Sequence, residues 1–64
     1  MKITVNGESV ETESENLSQL LVEQGFTGRV ATAVNEVFVG SSQRQAHRLR
    51  DGDRVEILAP MQGG

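Results

Sequence analysis

The apolar positions of this chain change their period twice. In "MKITVNGESVET", Ile3 and Val5 alternate with polar residues, and Val10 and Thr12 resume the alternation after Asn6-Gly7. A period of two buries one face of a strand. Asn-Gly between two such runs predicts a β-hairpin, because a tight primed turn needs positive φ at both central positions. In "SENLSQLLVEQGF" the spacing becomes Leu17, Leu20, Leu21, one stripe of a helix that has to face a sheet. Asn16 is a candidate N-cap, with Gln19 three residues on to reach back to it; Ser14 is the competing cap. Gly25 stands where a left-handed residue would end the helix, and Phe26 can fold back on it. So short a helix is unstable alone and needs tertiary packing.

The period of two then returns. "RVATAVNEVFVG" predicts a strand over Val30 to Val34, a turn at Asn35-Glu36 and a short partner strand from Val37 to Val39. "SSQRQAHRL" is polar and irregular, with one short helical turn expected around Gln43 to Ala46. In "RDGDRVEIL", Asp51-Gly52-Asp53 is a turn, and Val55 and Ile57 alternate with Glu56. Hairpin, helix, strand pair and last strand together predict an α+β fold, with one helix across one face of a mixed sheet. Pairing the last strand beside the first fills the centre of that sheet. Phe38 points opposite to Val37 and Val39, so either Phe38 or the two valines leave the helix-side core.

Length and composition narrow the function classes. Sixty-four residues make a single domain, residues 1–64. A domain of this size buries only about 60% of its unfolded surface, so its core is thin. Phe26 and Phe38 are the two aromatic residues, and the core falls to Val, Leu, Ile and Ala. With no Cys there is no disulfide staple and no thiolate metal site, nor any sign of a secreted scaffold. The opening residues have too short an apolar run for a signal peptide, and no run has membrane-spanning length, so the cytoplasm is the expected location. A formal charge of −3 disfavours nucleic acid. Arg44, Arg48, Arg50 and Arg54 cluster late in the chain, but no aromatic series interleaves them. They are expected to form a solvated face or part of a protein interface.

No catalytic constellation is present. His47 is the single histidine, so neither a His-based triad nor a multi-His metal site can be assembled, and an exposed surface position is expected for it. Glu8, Glu11, Glu13 and Glu15 sit in or just after the hairpin; alternation puts the last three on one side if the strand runs that far. Such charges favour a helix N-terminus and solubility. The glycines at 7, 25, 28, 40 and 52 match neither a phosphate loop nor a dinucleotide fingerprint.

That leaves "LAPMQGG", residues 58–64. Pro60 has no N–H, so a strand ladder stops there and Ala59 is biased to an extended conformation. Residues 60–64, expected as a flexible tail, reach about 17 Å from the body at ~3.3 Å each. Glycine has no Cβ, so Gly63 and Gly64 can enter a narrow slot and take any backbone angle it requires. The α-carboxylate at the tip, with an ordinary pKa of about 3.5, is ionised at neutral pH. A thin carboxylate on a stalk suits another enzyme's active site; a merely frayed end is the bland alternative.

The opening "MKITVNG", the helix "LSQLLVEQG", the strand "VATAVNEVFV", the segment "DGDRVEIL" and the final "GG" come in an order that resembles the ubiquitin-like β-grasp sulfur carriers, most closely the ThiS-type carriers of thiamine biosynthesis. The tail "PMQGG" departs from the apolar residues usual before the glycines in that family. The resemblance implies a mixed five-stranded sheet packed on one helix. It implies that Gly64 is the covalent site, adenylated and then converted to a thiocarboxylate, with Gly63 needed for access. The implied partners are an E1-like adenylyltransferase (ThiF-type), a thiazole synthase (ThiG-type) and a sulfur donor such as a cysteine desulfurase relay. ATP and Mg²⁺ belong to the activating partner, so the chain is expected to bind no cofactor or metal itself and to serve as a co-substrate rather than an enzyme. Neither nucleic acid nor membrane is an expected partner. Phe38, Leu58 and Met61 are candidates for an apolar docking patch on the open sheet face. The same layout also fits a molybdopterin synthase small subunit, a tRNA-thiolation carrier, or a β-grasp interaction module whose terminal glycines are incidental.

Overall fold

The Asn6-Gly7 pair folds the first two strands against each other. A computed structural model, which describes residues 1–59, gives φ of 52° at Asn6 and 86° at Gly7, both in the left-handed region that a primed hairpin turn requires. β1 (Lys2–Val5) and β2 (Glu8–Glu11) pair antiparallel across it, with Ile3 opposite Val10. β2 ends at Glu11, with one further backbone rung between Thr12 and Met1, so alternation does not carry Glu13 and Glu15 onto a strand face.

Helix α1 spans Leu17–Glu23. Asn16 is its N-cap, accepting a hydrogen bond at Oδ1 from the Gln19 backbone N–H at 2.8 Å. The Gln19 side chain does reach back, but to the N–H of Glu15 rather than that of Asn16. Ser14 does not cap; its hydroxyl bonds Glu23. At the other end Gly25 takes φ 81°, the Gly25 N–H bonds the Val22 carbonyl, and the Phe26 N–H bonds the Leu21 carbonyl. This pair of bonds is a Schellman motif, and it returns Phe26 to the edge of the core. Leu17, Leu20 and Leu21 are buried as one stripe.

β3 (Ala31–Val34) and β4 (Val37–Val39) form the second hairpin. β3 begins one residue later than the apolar run suggests. Asn35 and Glu36 turn it with φ of 52° and 72°, the same primed geometry as the first hairpin but without a glycine. A 3₁₀ turn, Ser41–Gln43, follows, slightly earlier than the helical turn expected at Gln43 to Ala46. β5 (Arg54–Leu58) closes the fold, giving the strand order β2-β1-β5-β3-β4. It runs parallel to β1 and antiparallel to β3, so the last strand is the central one, beside the first. The architecture is the expected β-grasp: a mixed five-stranded sheet with one helix across one face.

The Asp51-Gly52-Asp53 turn positions β5. Asp51 Oδ1 accepts from the Lys2 N–H at 2.8 Å, and the Gly52 N–H bonds the Lys2 carbonyl at 2.8 Å, which ties the turn to the start of β1. Asp53 is buried, and its carboxylate accepts from the Arg50 N–H and the Asn35 side-chain amide. The core between sheet and helix comprises Ile3, Val5, Val34, Val39, Val55 and Ile57 from the strands, the three helix leucines, and Leu49 from the loop before β5. Among the described residues no helix is long and apolar enough to cross a membrane.

Candidate functional site

The open face of the sheet follows from the alternation of β5. Val55 and Ile57 face the helix and are buried, so Arg54, Glu56 and Leu58 face away from it. The register places Leu58 opposite Ala31 and Glu56 opposite Ala33. Phe38, on β4, pairs with the other side of Ala33. Thr32, between these alanines, and Val34, after them, turn into the core. Phe38 and Leu58 are therefore on one face, at 71% and 69% exposure, with only small side chains on the strand between them. Phe38 leaves the core and Val39 enters it. Val37 lies on the core-side face opposite buried Val34 but, on the edge strand, stays 65% exposed. Both sequence candidates within the described residues, Phe38 and Leu58, thus belong to one apolar strip. Ala31 and Ala33, which sequence reasoning did not single out, complete it. Their signal was the small residue at every second position of "ATAV".

The strip ends where the chain leaves the sheet. Ala59 is exposed beyond Leu58 and, with Arg29, Val30 and Ala31, borders a shallow, mostly apolar depression. Met61, Gly63 and Gly64 lie outside the described residues.

Charged groups frame the strip. Arg54 pairs with Glu36 at 3.9 Å in an exposed position, a contact worth little by itself. Arg44 departs from the expected solvated face. Its Nε donates to Thr32 Oγ1 at 3.0 Å and its Nη2 to the Val30 carbonyl at 2.5 Å, while Thr32 Oγ1 donates to the Val39 carbonyl. Arg44 thereby clamps the 41–48 loop onto the start of β3. Arg48, Arg50 and Arg54 are exposed as expected. His47 is half-buried rather than fully exposed, and its carbonyl accepts the Leu17 N–H at the start of α1.

A second polar cluster lies on the opposite edge. Thr12 Oγ1 and Ser14 Oγ both donate to Glu23 Oε1, joining the β2–α1 connection to the last turn of the helix. These bonds, Ser14 first, hold the Glu23 carboxyl below its ordinary pKa. Among the described residues no three of His, Asp and Glu converge as metal ligands would.

The ThiS family model matches residues 2–64, which takes in both terminal glycines. The chain is 38% identical over 63 residues to the sulfur carrier protein ThiS of Thermus thermophilus, covering 97% of this chain and 98% of that one. Its fold superposes on the crystal structure of the thiamine biosynthesis protein ThiS from Geobacter metallireducens with a TM-score of 0.84, at 29% identity and over the whole of both chains. The solution structure of a thiamine biosynthesis protein from the same organism gives 0.83, also at 29% identity, over all of this chain and 88% of that one. Fold, order of elements and sequence agree over the full length: the chain belongs to the ThiS family.

Proposed function

We propose that this chain is a sulfur carrier for thiazole formation in thiamine biosynthesis, with the Gly64 carboxylate as the atom group that is activated and loaded. The observation that carries the reading is the family match over residues 2–64, which includes the terminal Gly-Gly. A carboxylate oxygen is a poor leaving group, so loading sulfur on it needs activation. In the proposed sequence Gly64 attacks the α-phosphorus of ATP, held with Mg²⁺ on an E1-like adenylyltransferase. The bond to pyrophosphate breaks and an acyl-adenylate forms. A sulfur donor then attacks the carbonyl carbon and AMP departs. If the donor is a persulfide, the product is an acyl disulfide, and attack by a second thiol on its outer sulfur releases the Gly64 thiocarboxylate. That sulfur is the nucleophile handed to thiazole synthase.

The chain's own contribution is presentation. Gly63 removes side-chain bulk beside the reacting group. Leu58 and Phe38, with Met61 as the third candidate, supply the apolar anchor, and burying them against a partner releases water from apolar surface. The catalytic groups, ATP and Mg²⁺ are on the partners, in the cytoplasm. The test is ATP–pyrophosphate exchange with a ThiF-type enzyme: the chain supports exchange, and the chain extended by one residue after Gly64 does not. Exchange that survives the extension would refute the carboxylate's role.

A further inference from the structure

We propose that Asn6 is a positioning residue for tail activation: its side chain stands in for a missing piece of β1 and fixes the end of β5. This role rests on the carrier reading above.

β1 and β5 are parallel, with Thr4 beside Arg54 and Val5 beside Val55. The Asn6 N–H continues the ladder by donating to the Val55 carbonyl at 2.8 Å. There the backbone of β1 runs out, because Asn6-Gly7 turns away into β2. β5 continues to Leu58. Ile57 consequently has backbone groups aimed at the β1 side with no strand to meet them. The Asn6 carboxamide meets both: Oδ1 accepts from the Ile57 N–H at 2.8 Å, and Nδ2 donates to the Ile57 carbonyl at 3.1 Å. A carboxamide carries the same donor and acceptor as a peptide group, so the side chain adds one rung to the ladder.

This rung sits at the root of the tail. Ile57 is buried, Leu58 is the exposed anchor on the open face, and Ala59 follows. On the other side Thr32 and Ala31 of β3 flank Ile57 and Leu58. With both sides held, Leu58 keeps its face and the chain departs from one point. Without the amide, β5 is secured on the β1 side only as far as Val55, and docking has to order the rest. That cost falls on association of the carrier with its activating enzyme. The position also selects its residue. Asn6 has φ 52°, which Asn and Gly tolerate best. Glycine meets that backbone requirement and lacks the amide, so Asn6→Gly separates the turn from the rung. Asn6→Asp is the second variant; it keeps the acceptor and faces the Ile57 carbonyl with a second acceptor.

The experiment combines amide hydrogen exchange on the full ¹⁵N-labelled chain with ATP–pyrophosphate exchange against carrier concentration, using a ThiF-type enzyme. Leu49→Val, in the core beside the start of α1, serves as a destabilised control outside the site. In Asn6→Gly or Asn6→Asp, the Ile57 amide exchanges at least about tenfold faster, and the KM for the carrier rises roughly fivefold with kcat within about twofold of wild type. Leu49→Val leaves KM unchanged. An unaltered Ile57 amide, an unaltered KM, or an equal rise in KM in the control overturns the role of Asn6. Wild-type carrier that supports no exchange at all overturns the carrier reading and this role with it. Wild-type exchange with an unaltered variant KM overturns Asn6 alone.

Discussion

Phe38 and Leu58 face the same way from the sheet, one on the edge strand and one on the central strand, with Ala33 and Ala31 in register between them. Two large apolar side chains at about 70% exposure contribute little to the isolated fold. Phe38→Asp and Leu58→Asp should therefore leave thermal stability within about 0.5 kcal/mol of wild type. Each should lower kcat/KM for adenylation by at least tenfold, about 1.4 kcal/mol of lost docking. Calorimetry and ATP–pyrophosphate exchange on the same preparations check the pair of statements. Full activity in both variants would remove the strip from the docking surface.

Glu23 links stability to acid. Its pKa lies below the ordinary 4.5 because Ser14 and Thr12 donate to the ionised form. A carboxyl whose folded pKa is depressed contributes stability above its unfolded pKa, and that contribution is lost as pH falls through the folded value. Glu23→Gln should thus be less stable than wild type at neutral pH, with the difference shrinking as the solution is acidified below 4.5. A carboxyl-detected NMR titration should place the Glu23 midpoint under 4.5, and a midpoint at or above it would contradict the two-hydroxyl arrangement.

The second hairpin holds a removable strain. Glu36 sits at φ 72° with an ordinary side chain, where the first hairpin has Gly7. Left-handed backbone costs a non-glycine residue roughly 1–2 kcal/mol, and the solvated pair with Arg54 offsets little of it. Part of the gain from glycine is returned as entropy of the unfolded chain. Glu36→Gly should stabilise the protein by about 0.5 kcal/mol, measured as a rise in the urea midpoint at constant m-value. A lower midpoint would show that the Glu36 side chain matters more to the turn than its backbone strain.

Local rules of the chain account for most of the fold. Asn6-Gly7, the Asn16 cap and Gly25 each specify a backbone geometry within a few residues, and each is found where its chemistry requires it. The alternation of Val55 and Ile57 gave the face of β5, and the need to fill the sheet gave its place. What was hidden depended on contacts across long sequence separations. Leu49 enters the core from a polar segment whose period reveals nothing. Arg44 resembles its exposed neighbours in sequence and differs only because the fold brings Thr32 and the Val30 carbonyl to it. Alternation set Phe38 against its two valines without saying which side the helix would cover. The Asn6 amide bonds Ile57, 51 residues away, although the residue is explained locally by its turn. Of the candidate site, Phe38 and Leu58 were named as candidates with the face of Phe38 left open, while Ala31 and Ala33 were not, because small residues suit either face of a strand.

The claim that Gly64 carries the sulfur is tested most directly by intact-protein mass. The chain is incubated with a ThiF-type adenylyltransferase, ATP, Mg²⁺ and a cysteine desulfurase sulfur source, then weighed beside a sample lacking ATP. Carrier chemistry predicts a gain equal to the exchange of one oxygen for one sulfur, located by fragmentation at Gly64 and absent without ATP. A mass that stays unchanged while a known carrier is converted in the same mixture would contradict it.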